Sequence, residues 1–309
     1  MKKILITGAS GFLGMSIVSE LAEFGGYDIY AVASGRRNVV FPNGVNTVTA
    51  DLLDRERSKR LIEEIRPEIM VHLAWGLSEP GFLKSVNNLV WLEESLRMLR
   101  FFLESGGKYF TFAGSSAEYG SFRGFSENGE TANDATDANV ANLANVTLYG
   151  QCKNSFHRIA SNLCGASGIK YVNLRFFPTL GKRVRANVAV PMAIAAFTAG
   201  ERFVCKSPYN IWDFISVDDA SKATCAVIQK QYSGVVNIAS GVPRMVGDVF
   251  RTIAKKMNCE HLLSLNFENS AKEILVANTD ALNNVIGYIC STELDEMLDG
   301  MIASISKRT

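Results

Sequence analysis

A tyrosine and a lysine four residues apart, Tyr149 and Lys153, are the pair in this sequence best suited to proton transfer. Apolar residues at Phe156, Ile159 and Ala160 indicate that a helix carries them, and this spacing places the phenol and the ammonium on one helix face. A free tyrosine has a pKa of about 10, and lowering it by about three units requires about 4 kcal/mol. One ammonium about 4 Å away supplies about that much at an effective dielectric near 20. The pattern therefore predicts an acid/base unit, although such a pair alone is more often a solvated helix face.

Two serines about thirty residues upstream strengthen this interpretation. Ser115 and Ser116 directly follow a predicted strand over residues 108–113, in the sequence Gly-Ser-Ser-Ala-Glu-Tyr-Gly. Ligands of open α/β sheets bind at the carboxyl ends of the strands. A hydroxyl group at this place is therefore predicted to reach the same ligand as the Tyr149 phenol.

The chain begins with a strand, a glycine turn and a helix. Residues 4–6 form an apolar run typical of a strand buried on both faces, and Gly8, Gly11 and Gly14 follow at every third position. From Leu13 onward the apolar residues have helical spacing. Glycines let backbone N–H groups approach a pyrophosphate, and the helix N-terminus adds the positive end of its dipole. This stretch predicts a dinucleotide-binding site rather than a simple tight turn.

The turn after the second predicted strand, residues 28–33, indicates which dinucleotide is bound. An acidic residue here would accept hydrogen bonds from the 2′-hydroxyl of NAD, whereas arginines would hold the 2′-phosphate of NADP. The turn contains Ser34, Arg36 and Arg37 and no acid. We expect NADP to be preferred, with NAD as the alternative and a solvated basic turn as the non-functional interpretation.

Strand and helix patterns alternate along the first two thirds of the chain and then become less regular. They predict an α/β protein with a doubly wound parallel Rossmann sheet and a smaller C-terminal substrate-binding lobe. The expected division is a dinucleotide-binding domain over residues 1–180 and a substrate lobe over 181–309, with about 213–240 returning to the sheet. A polar segment over residues 122–147 is expected to be a long loop or lid. Further strands are predicted over residues 45–50, 69–74, 171–176, 212–217 and 235–239, the last being the final strand; helices are predicted over 57–64, 89–102, 188–198, 219–229, 246–257 and 294–305.

Composition excludes several classes of function. The chain has 309 residues, of which 47% are hydrophobic, and its net charge of +1 argues against a general nucleic-acid surface. The apolar run near the start is too short for an export signal, and no stretch approaches membrane-spanning length. Six scattered cysteines without a CxxC pair indicate reduced thiols and a cytoplasmic location. The three histidines lack ligand spacing, so no metal site is expected, and His72 is predicted to be a hydrogen-bonded core residue.

Taken together, the motifs resemble the extended short-chain dehydrogenase/reductase family, which comprises nucleotide-sugar epimerases, dehydratases and ketoreductases. The resemblance covers nearly the whole chain. It rests on TGASGFLG, HLAW, Asn88-Leu89, GSSAEYG, YxxxK, LRFFPTLG, WDFISVDD and VVNIASG.

The resemblance implies a role for each part of the site. Tyr149 transfers the proton, Lys153 binds the nicotinamide ribose and lowers the tyrosine pKa, and Ser115 hydrogen-bonds the reacting oxygen. Ser116 is the less favoured serine, because counting back from Tyr119 aligns Ser115 with the family hydroxyl. The resemblance also implies that Asp51 lies near the adenine ring. The long helix over 89–102 is expected to pack on the sheet or on a second subunit, and the protein is expected to be a homodimer. The implied cofactor-binding residues are Gly8, Ser10, Gly11, Phe12, Leu13, Gly14, Ser34, Arg36, Arg37, Asp51, Leu52, Leu73, Ala74, Trp75, Tyr149, Lys153 and Pro178.

Departures from the family pattern narrow the chemistry. Sugar 4,6-dehydratases carry an Asp-Glu pair where this chain has Ser116 and Ala117, and bifunctional epimerase-reductases carry a Cys at Ala117. Hydride transfer at C4 of the sugar therefore remains as the simplest reaction. Family members commonly have a phosphate-binding arginine where this chain has Trp212. A second phosphate-binding arginine is expected near residue 270, where this chain has only Lys272 as a basic residue. The basic residues Lys182, Arg183 and Arg185 either replace the missing arginines or form a solvated loop, and a substrate other than a nucleotide sugar stays open.

The expected function is an NADPH-dependent reductase of a nucleotide-linked 4-keto-6-deoxy sugar. The alternative is a nucleotide-sugar 4-epimerase that retains NAD. A dinucleotide-sensing regulatory protein is disfavoured, because such a protein would be expected to have lost Tyr149 or Lys153.

Overall fold

A computed structural model describes residues 1–36, 38–77, 79–120, 147–268 and 273–307. Arg37, Lys272 and nearly all of the predicted lid lie outside the described residues. The strands are β1 (Lys2–Thr7), β2 (Tyr27–Ala33), β3 (Asn46–Thr49), β4 (Ile69–His72), β5 (Tyr109–Ser115), β6 (Lys170–Phe176), β7 (Thr179–Leu180), β8 (Phe203–Cys205), β9 (Ile211–Asp213), β10 (Ile215–Ser216), β11 (Gly234–Ile238), β12 (Pro243–Met245), β13 (Leu263–Leu265) and β14 (Ile274–Leu275). The α-helices are α1 (Phe12–Phe24), α2 (Arg55–Ile65), α3 (Asn87–Glu104), α4 (Leu148–Ala166), α5 (Ala189–Thr198), α6 (Val217–Lys230), α7 (Val246–Lys256) and α8 (Leu294–Ile305).

Seven parallel strands form the central sheet, in the order β11-β6-β5-β4-β1-β2-β3. The strand order reverses beside β1, so the chain crosses to opposite sides of the sheet after β1 and after β4. This confirms the doubly wound α/β fold predicted from the sequence. Its carboxyl edge beside β1 is where such sheets bind ligands.

Alternating side chains of the central strands fill two hydrophobic cores. Ile4 and Ile6 face one side and pack in the core that includes α1 and α6, while Leu5 faces the opposite core. That second core is rich in aromatic rings, including Phe112 of β5 and Phe156 of α4, whose ring centroids are 4.1 Å apart. Burial on both faces explains why these strands appear in the sequence as continuous apolar runs.

A third core lies in the C-terminal part of the chain, where α5, α7 and α8 pack together through Ile194, Phe250 and Leu298. Two details of the sequence-based prediction are wrong here. The strand expected over residues 212–217 is divided into β9 and β10, because β9 pairs with β12 and β14 whereas β10 pairs with β7. The strand expected to be the last, β11, is followed by β12, β13 and β14, each too short to give a clear two-residue period.

Because β11 pairs with β6, residues beyond 181 contribute to the central sheet. The exact division into two domains near residue 180 stays a prediction. Among the helices of the described ranges, none combines the length and apolarity needed to cross a membrane.

Candidate active site

A cleft of about 1790 Å³ opens between the carboxyl edge of the central sheet and the C-terminal lobe. The structure brings together in it all the predicted site residues that it describes, from distant parts of the chain. They are Gly8, Ser10, Gly11, Phe12, Leu13, Gly14, Ser34, Arg36, Asp51, Leu52, Leu73, Ala74, Trp75, Ser115, Tyr149, Lys153 and Pro178.

The glycine turn leaves the N-terminus of α1 open toward the cleft. Gly11 N–H donates to the Gly8 carbonyl over 2.9 Å, and a Cβ atom on Gly14 would lie 2.2 Å from that same oxygen. Gly8 itself has a φ of +67°, which favours glycine. No described side chain caps α1 and its first turn carries no acid, so this end suits a bound anion. These features fit the pyrophosphate of a dinucleotide.

The end of β2 forms the basic side of the cleft. Arg36 is exposed there, and its backbone N–H lies 3.5 Å from Ser34 Oγ. Gly35 has a φ of +75° and approaches Thr49, so the turn bends closely against β3. Asp51 sits beyond β3 and accepts the Leu53 N–H over 3.1 Å. A hydroxyl and a guanidinium without an acid in the turn itself fit a 2′-phosphate.

Tyr149 lies in the first turn of α4, where Thr147 caps the helix by accepting the Gly150 N–H over 3.1 Å. The ring is buried and meets Phe82 and Trp75 edge-on, at centroid distances of 5.3 and 6.2 Å. Burial raises the pKa of Tyr149 to about 12, although a hydrogen bond with Ser115 lowers it. In this structure the phenol is therefore protonated at neutral pH.

Lys153 lies in a cage of aromatic rings on the next turn of α4. Its Nζ atom is 3.9 Å from the Trp75 centroid and 4.5 Å from the Phe112 centroid, and it donates to the Ala113 carbonyl over 2.7 Å. Burial lowers the pKa of Lys153 to about 7.

The role that the resemblance implies for Lys153 stays a prediction. Its Nζ atom lies 5.8 Å from the Tyr149 ring centroid, and burial is the largest cause of the pKa shift of both groups. The Arg185 guanidinium also lowers the pKa of the Tyr149 phenol. The helical spacing correctly placed both groups on one face, but it contained no information about how deeply that face is buried.

Arg185 is therefore a site residue whose place the sequence did not reveal. Its Nη1 donates to the Leu77 carbonyl over 2.5 Å, and its guanidinium lies 4.7 Å over the Phe82 ring. No carboxylate of the described residues forms an ion pair with it. Its positive charge thus lies near the phenol in the lining of the cleft.

The far wall of the cleft is formed by the C-terminal lobe. Trp212 Nε1 and Asn210 Nδ2 each lie 3.3 Å from Glu273 Oε2. The indole thus takes part in a local hydrogen-bond pair at the place where the resemblance implied a phosphate-binding arginine. Exposed Arg183 and Lys206 also line the cleft and carry positive charge.

His72 is a core residue, as predicted. Its ring nitrogens lie 2.8 Å from Thr7 Oγ1 and 2.9 Å from Ser95 Oγ, and burial lowers its pKa to about 3. No cluster of potential metal ligands occurs within the described ranges.

The fold and the cleft together define a dinucleotide-binding α/β protein with a tyrosine, a lysine and a serine at the reacting end. Comparison with known proteins agrees with this class. The sequence matches the NAD dependent epimerase/dehydratase family over residues 4–239. The chain belongs to this family and is an NAD(P)-dependent enzyme of the epimerase/dehydratase type.

Relatives and structural neighbours are similar over almost the whole chain. The dTDP-6-deoxy-L-talose 4-dehydrogenase (NAD(+)) of Aggregatibacter actinomycetemcomitans is 26% identical over 267 residues, covering 85% of this chain and 92% of that protein. The UDP-N-acetylglucosamine 4-epimerase from Methanobrevibacter ruminantium M1 has a TM-score of 0.83 at 21% identity, with 100% and 99% of the chains covered. The UDP-glucose 4-epimerase of Thermus thermophilus, solved with NAD, has a TM-score of 0.81 at 20% identity, with 98% of both chains covered. The two structural likenesses show a shared fold.

Proposed function

We propose that this protein is an NADPH-dependent reductase that transfers hydride to C4 of a nucleotide-linked 4-keto-6-deoxy sugar. The observation that carries the proposal is the turn after β2, where the Ser34 hydroxyl and the exposed Arg36 lie with no acid in the turn and fit the 2′-phosphate of NADP. A reductase that uses NADPH must release the oxidised cofactor after each reaction, whereas a 4-epimerase keeps its cofactor bound. In either reaction the buried Tyr149 phenol is the group that exchanges a proton with the sugar oxygen.

The residues of the cleft divide the work of this reaction. NADPH, when bound, supplies the hydride. Tyr149 donates its proton to the ketone oxygen as negative charge develops there, and Ser115 stabilises that charge by a hydrogen bond. Arg185 places a positive charge near the phenol. Lys153 holds the nicotinamide ribose, and the glycine turn with α1 holds the pyrophosphate.

The named relative supports the substrate class. Run in reverse, a 4-dehydrogenase of a dTDP-6-deoxy sugar is a reductase of the corresponding 4-keto sugar. That relative is named for NAD(+), whereas the turn after β2 of this chain favours a 2′-phosphate. The 4-epimerase alternative is supported by the names of the structural neighbours, which share the fold at about 20% identity.

Two further properties stay predictions. A homodimer is supported by apolar side chains exposed on two adjacent helices, Leu89 and Val90 of α3 and Ile159 and Leu163 of α4. A cytoplasmic location rests on the scattered cysteines of the sequence.

The reaction itself is the first test. Incubated with a panel of 4-keto-6-deoxy nucleotide sugars, the enzyme is expected to consume one equivalent of NADPH and form a single C4 alcohol. Because the phenol must be deprotonated for the reverse reaction, oxidation of that alcohol by NADP should accelerate as pH rises from 7 toward 10. A protein that purifies with NAD and interconverts two 4-hydroxy sugars without net cofactor use would be an epimerase instead.

Cofactor preference is the second test. NADPH is expected to bind about tenfold or more tightly than NADH, because a charge-assisted pair with the 2′-phosphate contributes about 1.5–3 kcal/mol. Arg36→Ala should weaken NADPH binding while leaving NADH binding unchanged, and the exposed Arg57 of α2 provides the matched control Arg57→Ala. Titration by protein fluorescence measures both affinities. Equal or tighter binding of NADH to the wild-type protein would contradict the preference and favour the epimerase alternative.

A further inference from the structure

Glu118 lies directly behind the serine that faces Tyr149, and its side chain is completely buried. Its Oε1 atom accepts the backbone N–H of Ser115 over 2.8 Å. Its Oε2 atom accepts from Asn173 Nδ2 over 2.8 Å and from Arg175 Nε over 2.9 Å. Both carboxylate oxygens therefore accept hydrogen bonds, one from the carboxyl end of β5 and the other from side chains of β6.

The surrounding chain is shaped to admit this carboxylate. A Cβ atom on Gly114 would lie 2.4 Å from Glu118 Oε1, so a larger residue at this position would displace the group. The Arg175 guanidinium stacks over the Tyr119 ring at 4.5 Å, and Tyr119 donates its hydroxyl proton to Asn237 over 2.8 Å. The network thus joins β5, β6 and β11 beneath the cleft.

Ser115 is oriented from both sides by this arrangement. While Glu118 accepts its N–H, the Ser115 Oγ atom accepts the N–H of Ala117 over 3.2 Å, which completes a reciprocal capping box. A serine hydroxyl has one proton to donate. Ser115 Oγ thus accepts from Ala117 and also hydrogen-bonds the Tyr149 phenol, which leaves the serine proton available to Tyr149 or to a ligand.

We propose that Glu118 is a positioning residue that acts through Ser115, fixing the direction in which the serine hydroxyl donates. The proposal rests on the role of Ser115 in the proposed function, but it holds for a reductase and for an epimerase alike. Arg175 and Asn173 hold Glu118 in the same way that Glu118 holds Ser115. None of these three residues has to touch the substrate.

A double-mutant cycle separates this role from a structural one. Removing Glu118 alone would leave Arg175 buried and unpaired, so the test uses the uncharged pair Glu118→Met with Arg175→Met. We expect this variant to lower kcat about tenfold with KM unchanged within about twofold, and Ser115→Ala to lower kcat about a hundredfold. All three substitutions together should be no worse than Ser115→Ala within about threefold, because no hydroxyl remains to be positioned. Losses that multiply to about a thousandfold would overturn the proposal.

A rescue variant and a control variant accompany the cycle. Glu118→Gln combined with Arg175→Met retains an oxygen that can accept the Ser115 N–H and leaves no unpaired charge, so it should keep a higher kcat than Glu118→Met with Arg175→Met. Glu94→Gln removes another buried glutamate beside an arginine, on α3 away from the cleft, and should leave kcat and KM unchanged. Turnover is measured with whichever keto or hydroxy sugar the purified enzyme converts.

Hydrogen exchange tests the contact without any substrate. The Ser115 amide should exchange at least about tenfold faster in the uncharged pair variant than in the wild-type protein, while the amide of Phe112 within β5 should not change. An unchanged Ser115 amide would overturn the proposal even if the enzyme were found to act on an entirely different substrate.

Discussion

Replacing Tyr149 with phenylalanine is expected to lower kcat about a thousandfold, within the range attributed to general acid catalysis. The ring would still fill its place against Phe82 and Trp75, so NADPH affinity should stay within about twofold of wild type. What is lost is the hydroxyl whose proton goes to the ketone oxygen. Steady-state kinetics of NADPH oxidation and a cofactor titration measure the two effects.

Tyr171→Phe is the matched control for this variant. Tyr171 is another buried tyrosine, whose hydroxyl lies 3.3 Å from His157 Nδ1, and it does not line the cleft. Its loss should leave kcat unchanged. Substantial turnover by Tyr149→Phe would mean that another group supplies the proton, and Ser115 would be the next candidate.

Replacing Lys153 with methionine is expected to reduce both kcat and NADPH affinity, each by about tenfold or more. The ammonium is the group proposed to hold the nicotinamide ribose, and a charged hydrogen bond contributes about 1.5–3 kcal/mol. Methionine fills similar space in the cage formed by Trp75 and Phe112. Lys170→Met, at an exposed lysine that begins β6, should change neither quantity.

The same variant has a predicted effect on stability that a direct ribose contact alone would not produce. Burial lowers the pKa of Lys153 from 10.5 to about 7, so between these values the unfolded chain binds more protons than the folded protein. Burying the charged Lys153 therefore lowers the free energy of unfolding of the wild-type protein. This destabilisation is fully present below pH 7 and fades as pH rises toward 10.5. In thermal melts from pH 6 to 9.5, the melting temperature of Lys153→Met relative to that of the wild-type protein should therefore be highest at pH 6. If the melting temperature of Lys153→Met relative to wild type rose with increasing pH, the lowered pKa of Lys153 would be contradicted.

The sequence by itself determined the fold class and most of the site, because these depend on local patterns. Apolar runs ending in Gly8, Gly11 and Gly14 specify a buried strand, a close turn and an open helix N-terminus over a few residues. The four-residue spacing of Tyr149 and Lys153 follows from helix geometry. A parallel sheet then carries such local units to one edge, so the predicted residues that the structure describes meet in one cleft.

Only the tertiary structure decided the electrostatics of the site. The pKa of each ionisable group depends on burial and on neighbours that are distant in sequence, and neither has a signature in the spacing of residues. Arg185 follows Tyr149 by 36 positions yet supplies the charge that lowers the phenol pKa, while Lys153 is enclosed by rings from β5 and the loop after β4. The Ser-x-x-Glu pattern at Ser115 is typical of a capping box, although we did not predict one, and the partners of Glu118 on β6 appear only when the strands pair. Burial in the folded core raises the pKa of the Tyr149 phenol, and that property arises from the packing of the whole sheet rather than from any single motif.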